Sequence, residues 1–286
     1  MSILVAGARG HIGSAVLQAL SGTPDVIAGV SRAADAEALR ARGQEARAFD
    51  YADYEQMLRA FAGIETLVLV FPFAPAMLEY ADRATRAAQA AGVKHVVRSS
   101  GLGASLASPY LLSREQGEID ALVRDRSRAW TLVLPGFFMQ NMVDHPEPLR
   151  ATGVYRSARG GGRTAAVDVR EVGAAVAAIA REPRPHTGAS YQLTGPRAES
   201  DAEVVADIAA ATGRALRCEP VSAMDLRMAL ASAGMPDWAI DRLASLDTMV
   251  REGEAAELSP DLARLLGRAP TGFADFAREH RAAWLA

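Results

Sequence analysis

A chain of 286 residues has room for one large or two small domains around a shared core, and with half its residues hydrophobic and 23% charged it has an ordinary globular composition. The net charge of −3 excludes a general attraction to nucleic acid or acidic membrane, and the single cysteine, Cys218, excludes an intrachain disulfide framework and fits a reducing compartment. The opening MSILVAGARG turns to glycine too early for a signal peptide, and no apolar run nears the roughly 18 residues of a membrane span, so the expected location is the cytoplasm.

Residues 1–135 alternate apolar runs with helical patterns. ILVAG (3–7) is strand-like, and the segment from His11 places Ile12, Ala15, Val16, Ala19 and Leu20 on one helical face. VIAGV (26–30), ARAFD (46–50), TLVLVF (66–71), KHVVRSS (94–100) and WTLVLP (130–135) continue the strands, with helical stretches between most of them. Continuous apolar strands alternating with helices predict a parallel sheet buried on both faces, the α/β doubly wound Rossmann-type architecture. After Gly136 the pattern changes. GVYRSARGGGRTAAVDV (153–169) reads as short strands around a Gly-rich turn, and RSARGGGR within it as a solvated hairpin more readily than an RNA-binding tract. SDAEVVADIAAATG (200–213) opens on a Ser200/Glu203 capping box and stops at Gly213, which predicts a helix. The rest is mostly helical. The expected division is a nucleotide-binding domain over 1–150 and a smaller, mostly helical C-terminal lobe over 151–286 packed against it.

GARGHIG sets Gly7, Gly10 and Gly13 between the first strand and the first helix. One glycine permits the tight turn, another lets a pyrophosphate approach the backbone, and the third lets helix and strand pack closely. The helix N-terminus then offers free N–H groups and a positive dipole end. Arg9 in this loop, His11 and Ile12 opening the helix, Phe71 ending the fourth strand and Pro72 after it complete the expected cofactor contacts. The second strand ends in GVSR. A site for NAD commonly has an acidic residue here for the ribose 2′-hydroxyl, whereas Ser31 and Arg32, with Arg9 nearby, suit a 2′-phosphate, so NADP(H) is favoured over NAD(H). Asp50, ending the third strand, either accepts from the adenine amine or caps a turn.

These residues carry a resemblance. GARGHIG, GVSR, VKHVVRSSGLGAS, REQGEIDAL, TLVLPGFFMQNM, VDVREVGAAV, YQLTGP and the closing GRAPTGFADFAREHRAAW resemble the NmrA-like branch of the atypical short-chain dehydrogenase/reductases, which is similar to type 2 NAD(P)H quinone oxidoreductases and festuclavine-type dehydrogenases. The resemblance implies that Gly7, Gly10, Gly13, Arg32 and Ser99 lie along the cofactor, and that Phe137, Phe138 and Asn141 line its nicotinamide end. The chain departs from the family string at Leu134, where Arg is usual, and at Gln140, where Glu is usual.

SPYLLSREQGEIDAL (108–122) puts Tyr110 four residues before Arg114, the spacing of a Tyr-x-x-x-Lys catalytic pair with arginine in the lysine position. Ser108 as N-cap and Pro109 at the first helical position predict a helix with both side chains on one face. In the parent family the tyrosine protonates the carbonyl oxygen while the lysine lowers its pKa and relays protons. Arginine can favour tyrosinate and hold ribose hydroxyls, but its pKa above about 12 unsuits it to proton relay. The only lysine, Lys94, precedes the fifth strand, at the wrong end of the sheet. The alternative is that Arg114 pairs with Glu118 in solvent and Tyr110 merely packs. Ser100, or Ser99, is a further candidate to polarise a carbonyl, with loop capping as its competitor.

The expected protein is an NADPH-dependent reductase passing hydride to a small conjugated or cyclic acceptor, such as a quinone, an imine or iminium ion, an enone or an activated carbonyl, with specialised metabolism as one setting. Such acceptors ask little of a general acid. Trp238, with Met224, Met228 and Met235, is a candidate for the substrate wall. The alternative is a non-catalytic NADP(H)-binding redox sensor of the NmrA type that signals to a protein partner; a nucleotide-sugar epimerase is a distant third. No spacing of the five histidines suggests a metal. The expected partners are a small-molecule substrate and, for a sensor, a second copy or another protein, with neither nucleic acid nor membrane.

Overall fold

Seven short strands, the inner ones almost wholly buried, join as one parallel sheet in the computed structural model, which describes residues 1–285. In chain order the strands are β1 (Ile3–Ala6), β2 (Val26–Val30), β3 (Ala46–Ala48), β4 (Thr66–Leu69), β5 (His95–Ser99), β6 (Trp130–Pro135), β7 (Val154–Ser157), β8 (Arg163–Thr164), β9 (Ala189–Leu193), β10 (Glu199–Ser200) and β11 (Arg217–Pro220). The large sheet runs β3-β2-β1-β4-β5-β6-β9, every neighbouring pair parallel. This is the Rossmann strand order with one strand added at the far edge, so the fold class expected from the sequence is the observed one.

The helices are α1 (His11–Ala19), α2 (Ala33–Arg40), α3 (Tyr54–Phe61), α4 (Met77–Ala90), α5 (Leu111–Arg126), α6 (Asn141–Asp144), α7 (Glu147–Thr152), α8 (Val169–Arg181), α9 (Asp201–Thr212), α10 (Ala223–Ser232), α11 (Asp237–Arg251), α12 (Asp261–Leu266) and α13 (Phe273–Glu279). Side chains alternate across β1. Ile3 and Val5 join Val16, Val172 and Val176 from α1 and α8 on one face, while Leu4 and Ala6 join Met57, Phe61 and Ala84 from α3 and α4 on the other. Helices on both faces are why the strands carry no polar alternation. Truncating a side chain as buried as Phe61 costs about 3–5 kcal/mol. No helix of the described residues is long and apolar enough to cross a membrane.

Beyond β6 the chain builds two small ladders, β7 beside β11 in parallel and β10 against β8 in antiparallel, and returns to the large sheet as β9. The strands flanking the Gly-rich turn therefore do not form the expected hairpin. Each finds a different partner, and between them Arg159 pairs with Asp247 and Asp201. The capping box of α9 forms as the sequence predicts, with Ser200 Oγ accepting from the Glu203 N–H, and the helix ends at Gly213 with φ 71°. The start of α5 is later than expected. Tyr110, not Ser108, is the N-cap, because Ser108 Oγ accepts from the Tyr110 N–H and folds 108–110 into a turn ahead of the helix.

His95, at the start of β5, is buried, and its Nε2 lies 2.8 Å from Thr131 Oγ1. The Thr131 hydroxyl donates to the His186 carbonyl, so the ring must present Nε2–H. Burial and the neighbouring His186 push its pKa down to about 4. An unfolded histidine titrates near ~6.5. The stability gained by keeping this ring neutral is therefore whole above that value and is lost as pH falls from ~6.5 through about 4. The melting temperature should decline across that window, and His95→Gln, which keeps a donor toward Thr131, should flatten the decline.

Candidate active site

The strand order reverses between β1 and β4, and the crevice beyond their carboxyl ends is walled by the glycine loop, the end of β2 and the segment after β4. Gly7 stands at φ 76° with a Cβ position 2.6 Å from the Val70 carbonyl oxygen, so neither its backbone angle nor its space admits a side chain. A Cβ on Gly13 would fall 2.2 Å from the Gly7 oxygen, which is how closely α1 seats on the loop. The α1 N-terminus has no side-chain cap and no acidic residue in its first turn. Its first N–H groups thus keep their hydrogens for an anion, and the loop fits a dinucleotide pyrophosphate.

Arg9, Ser31 and Arg32 line the crevice at the end of β2, as do Phe71 and Pro72 after β4. Asp35, overlooked in the sequence, lies among them. It accepts from Arg32 Nε at 2.7 Å and Nη2 at 2.9 Å, and Arg9 Nη1 is 3.6 Å from it. Two guanidinium groups against one carboxylate leave this corner positive, which suits a 2′-phosphate. Tyr51 was likewise overlooked. Its hydroxyl donates to the Val70 carbonyl at 3.0 Å and its ring lies 5.4 Å from Phe71, forming an aromatic wall. Asp50 does not line the crevice; its carboxylate accepts from the Ala52 N–H at 2.8 Å, the turn-capping alternative. His11 and Ile12 open α1, and His11 Nε2 lies 3.2 Å from Asp144, bridging the glycine loop to α6.

The second cavity opens along the same edge of the sheet, beyond β5 and β6. Its volume is about 200 Å³, somewhat more than the ~150 Å³ apolar cavity that takes a benzene ring. Leu102, Leu112, Phe137, Phe138, Leu246 and Met249 make it apolar, while Ser100, Gln116 and Asn141 add polar atoms. The loop carrying both phenylalanines is pinned by backbone bonds, Val167 N–H to the Phe137 carbonyl and Gly136 N–H to the Leu193 carbonyl. Gln140 completes the wiring, its Nε2 donating to Asp168 and its Oε1 accepting from the Val169 N–H. Behind Phe137, the Arg159 guanidinium lies 4.8 Å from the ring centroid, facing an adjoining hollow that Asn141 and Leu246 share.

Beneath the chamber lies a buried polar cluster. Arg98 and Asp120, each 1% exposed, form an ion pair, Ser100 Oγ donates to Asp120 at 2.8 Å, and Arg98 Nη2 donates to Gln116 Oε1. Burial pulls the Arg98 guanidinium down to about 10 and pushes the Asp120 carboxyl up from its usual range. Ser99 is buried beside it, its Oγ without a partner among the described residues.

Tyr110 and Arg114 are not joined by a hydrogen bond among the described residues. The Tyr110 hydroxyl donates to Glu252 at 2.6 Å, and Arg114 Nη1 donates to the Ser108 carbonyl at 3.1 Å, not to Glu118. The bond to Glu252, with burial and the charges of Glu252 and Glu254, raises the phenol pKa to about 12. Lys94 pairs with Glu65 at the opposite edge of the sheet, as its position ahead of β5 requires. Trp238 is not on the chamber wall; its ring packs 5.2 Å from Phe73 with Arg242 over it. Met224 and Met228 are exposed on α10, and α11 reaches the chamber through Leu246 and Met249 instead. No cluster of three or more potential metal ligands occurs among the described residues.

Comparison with known proteins follows the same lines. The sequence pattern of a family described as NAD(P)H-binding matches residues 7–183. The chain is 34% identical over 283 residues to an NAD(P)H azoreductase of Xenophilus azovorans, covering 99% of both. It is 30% identical to quinone oxidoreductase 2 of Escherichia coli over 96% of both. The crystal structure of that NADPH-dependent quinone oxidoreductase with NADPH superposes with a TM-score of 0.89, covering 97% of this chain and 99% of that one. Triphenylmethane reductase of Citrobacter sp., solved with NADP(H), gives 0.87 at 25% identity, covering 98% of this chain and 100% of that one. Nmra, a negative transcriptional regulator, shares the fold alone, at 16% identity, a TM-score of 0.79 and coverage of 100% and 97%.

The state of Tyr110 is open to direct measurement. NMR titration of ring-labelled tyrosine should place this residue near pH 12, and Glu252→Gln should bring it toward the ~10 of a free phenol, because the carboxylate that favours the neutral form is gone.

Proposed function

This chain belongs to the family of NAD(P)H-binding proteins and is an NAD(P)H-dependent oxidoreductase, and we propose that it passes hydride from NADPH to a small, flat, conjugated acceptor of the quinone or azo kind. One observation carries the reading: an uncapped helix N-terminus beside an arginine-lined crevice, continued along the sheet edge by an apolar, ring-sized chamber. The reduced nicotinamide supplies the hydride when bound. The α1 N–H groups would hold the pyrophosphate, with Gly7 and Gly13 letting the loop turn tightly against β4 and α1. Arg32, with Arg9 and Ser31, would take the 2′-phosphate, which would favour NADPH over NADH, and Asp35 holds the Arg32 fork in one direction.

Phe137, Phe138, Leu246 and Met249 position the acceptor and exclude water, the part of catalysis that depends on geometry. The structure offers little for concerted protonation. Tyr110 is engaged by Glu252 and stays neutral far above neutral pH, and Arg114 holds a loop carbonyl. An acceptor that takes hydride first and its proton later from solvent fits this equipment better than an ordinary ketone does. The azoreductase and quinone oxidoreductase relatives support that class.

Purified protein should oxidise NADPH with a p-quinone or an azo dye. Arg32→Ala should raise the KM for NADPH by roughly 10- to 100-fold, the worth of a charge-assisted hydrogen bond, and move that for NADH only slightly. Tight NADPH binding without turnover on any acceptor would leave a cofactor-binding sensor in place of an enzyme.

A further inference from the structure

Gln116 has an amide whose orientation is dictated. Arg98 has only donors, so the Gln116 atom facing it must be the carbonyl oxygen, which accepts from Arg98 Nη2. The amide nitrogen is thereby turned the other way, and its one contact among the described residues is Met77 Sδ at 3.5 Å, a weak acceptor. Gln116 lines the acceptor chamber, and its second N–H has no hydrogen-bond partner among the described residues. The other polar groups there differ, and Ser113 Oγ gives its hydrogen to the Leu102 carbonyl. Ser100 gives its hydroxyl hydrogen to Asp120 and presents only lone pairs, and the Asn141 side chain has no partner among the described residues to fix which way its amide points.

We propose that Gln116 Nε2–H is the electrophilic group of the reaction. It donates to the acceptor oxygen or nitrogen on which negative charge collects. The step balances simply. A hydride, two electrons and one proton, forms a new bond to the acceptor as NADPH becomes NADP⁺, the acceptor π-pair moves onto its oxygen or nitrogen, and solvent supplies the second proton. The amide lowers the energy of that anion without surrendering a proton, so no tyrosine–lysine relay is needed. It is ready beforehand because Arg98, paired with Asp120 in a buried site, holds the amide oxygen. The proposal rests on the reductase reading above.

Two variants test it. Gln116→Leu removes the amide, and Gln116→Glu keeps a partner for Arg98 while offering no donor at neutral pH. Each is assayed with NADPH against a p-quinone and against a triarylmethane cation, whose hydride adduct is neutral and needs no such donor. The ratio of kcat for quinone to kcat for cation should fall on the order of 100-fold in both variants, the usual effect of removing one oxyanion donor. The dissociation constant for NADP⁺ should hold, and the carbonyl stretch of a quinone bound to the NADP⁺ complex should rise. An unchanged ratio with an unchanged stretch overturns the proposal. So does a parallel loss on both acceptors with weakened NADP⁺ binding, which would assign Gln116 to the cofactor or the fold. Wild-type protein that reduces neither acceptor overturns the reductase reading itself.

Discussion

The polar lining of the chamber is organised around an ion pair that water does not reach. Arg98 leaves the carboxyl end of β5 and Asp120 lies on α5, and between them they bind the strand to the helix. Removing two charges from solvent costs several kcal/mol each, and only good geometry with further hydrogen bonds repays it. Ser100 and Gln116 take up further positions around the pair, while Arg98 Nε has no partner among the described residues. The cluster's expense in stability has a product: two chamber residues, one fixed as acceptor and the other as donor. A leucine pair of similar volume would hold β5 and α5 together as well, but would leave both polar side chains free to turn.

A second buried cation closes the other side. Arg242 of α11, 5% exposed, meets Glu115 of α5 in a fork-to-fork pair at 2.7 and 3.0 Å and donates to the Ala74 and Pro75 carbonyls, with Phe73 and Trp238 against its faces. The segment after β4, which borders the nucleotide crevice, is thereby fastened to the helix that roofs the chamber. Tyr110 and Glu252 add a contact where α11 ends. Cofactor crevice and acceptor chamber are thus joined through α5 and α11 by side chains, chiefly arginines. That gives a physical setting for a chain that has 31 basic residues and a single lysine: a planar fork can serve a carboxylate and two carbonyls at once, and an ammonium cannot match that geometry.

Much of the nucleotide half was legible before any coordinates. Gly7, Gly10 and Gly13 belong to one turn of chain, and their function follows from local geometry, so spacing alone finds them. Arg32 is likewise a local signal, following directly on β2. Asp35 lay three residues further on and escaped attention, though its spacing on a helix opening with Arg32 was a sufficient cue. The acceptor half was harder. Tyr110 and Arg114 matched a pattern by spacing, yet the turn at Ser108 begins α5 later than the capping preferences suggest, and each side chain found a partner that the local string does not contain. Glu252 is 142 residues from Tyr110, and no periodicity reports such a meeting.

Period and punctuation, then, determined the α/β order, the glycine turn, the capping box of α9 and the arginine just beyond β2, because each depends on residues within a few positions of one another. Tertiary structure alone decided which polar atoms face the chamber. Gln116 carried no signal in the local string, and it is Arg98, eighteen positions earlier, that claims its oxygen. Arg159 looked like part of a solvated Gly-rich loop until Asp201 and Asp247 drew it behind Phe137. A hydrogen-bond donor is defined by what its other end is bound to, and in this protein those other ends come from distant parts of the chain.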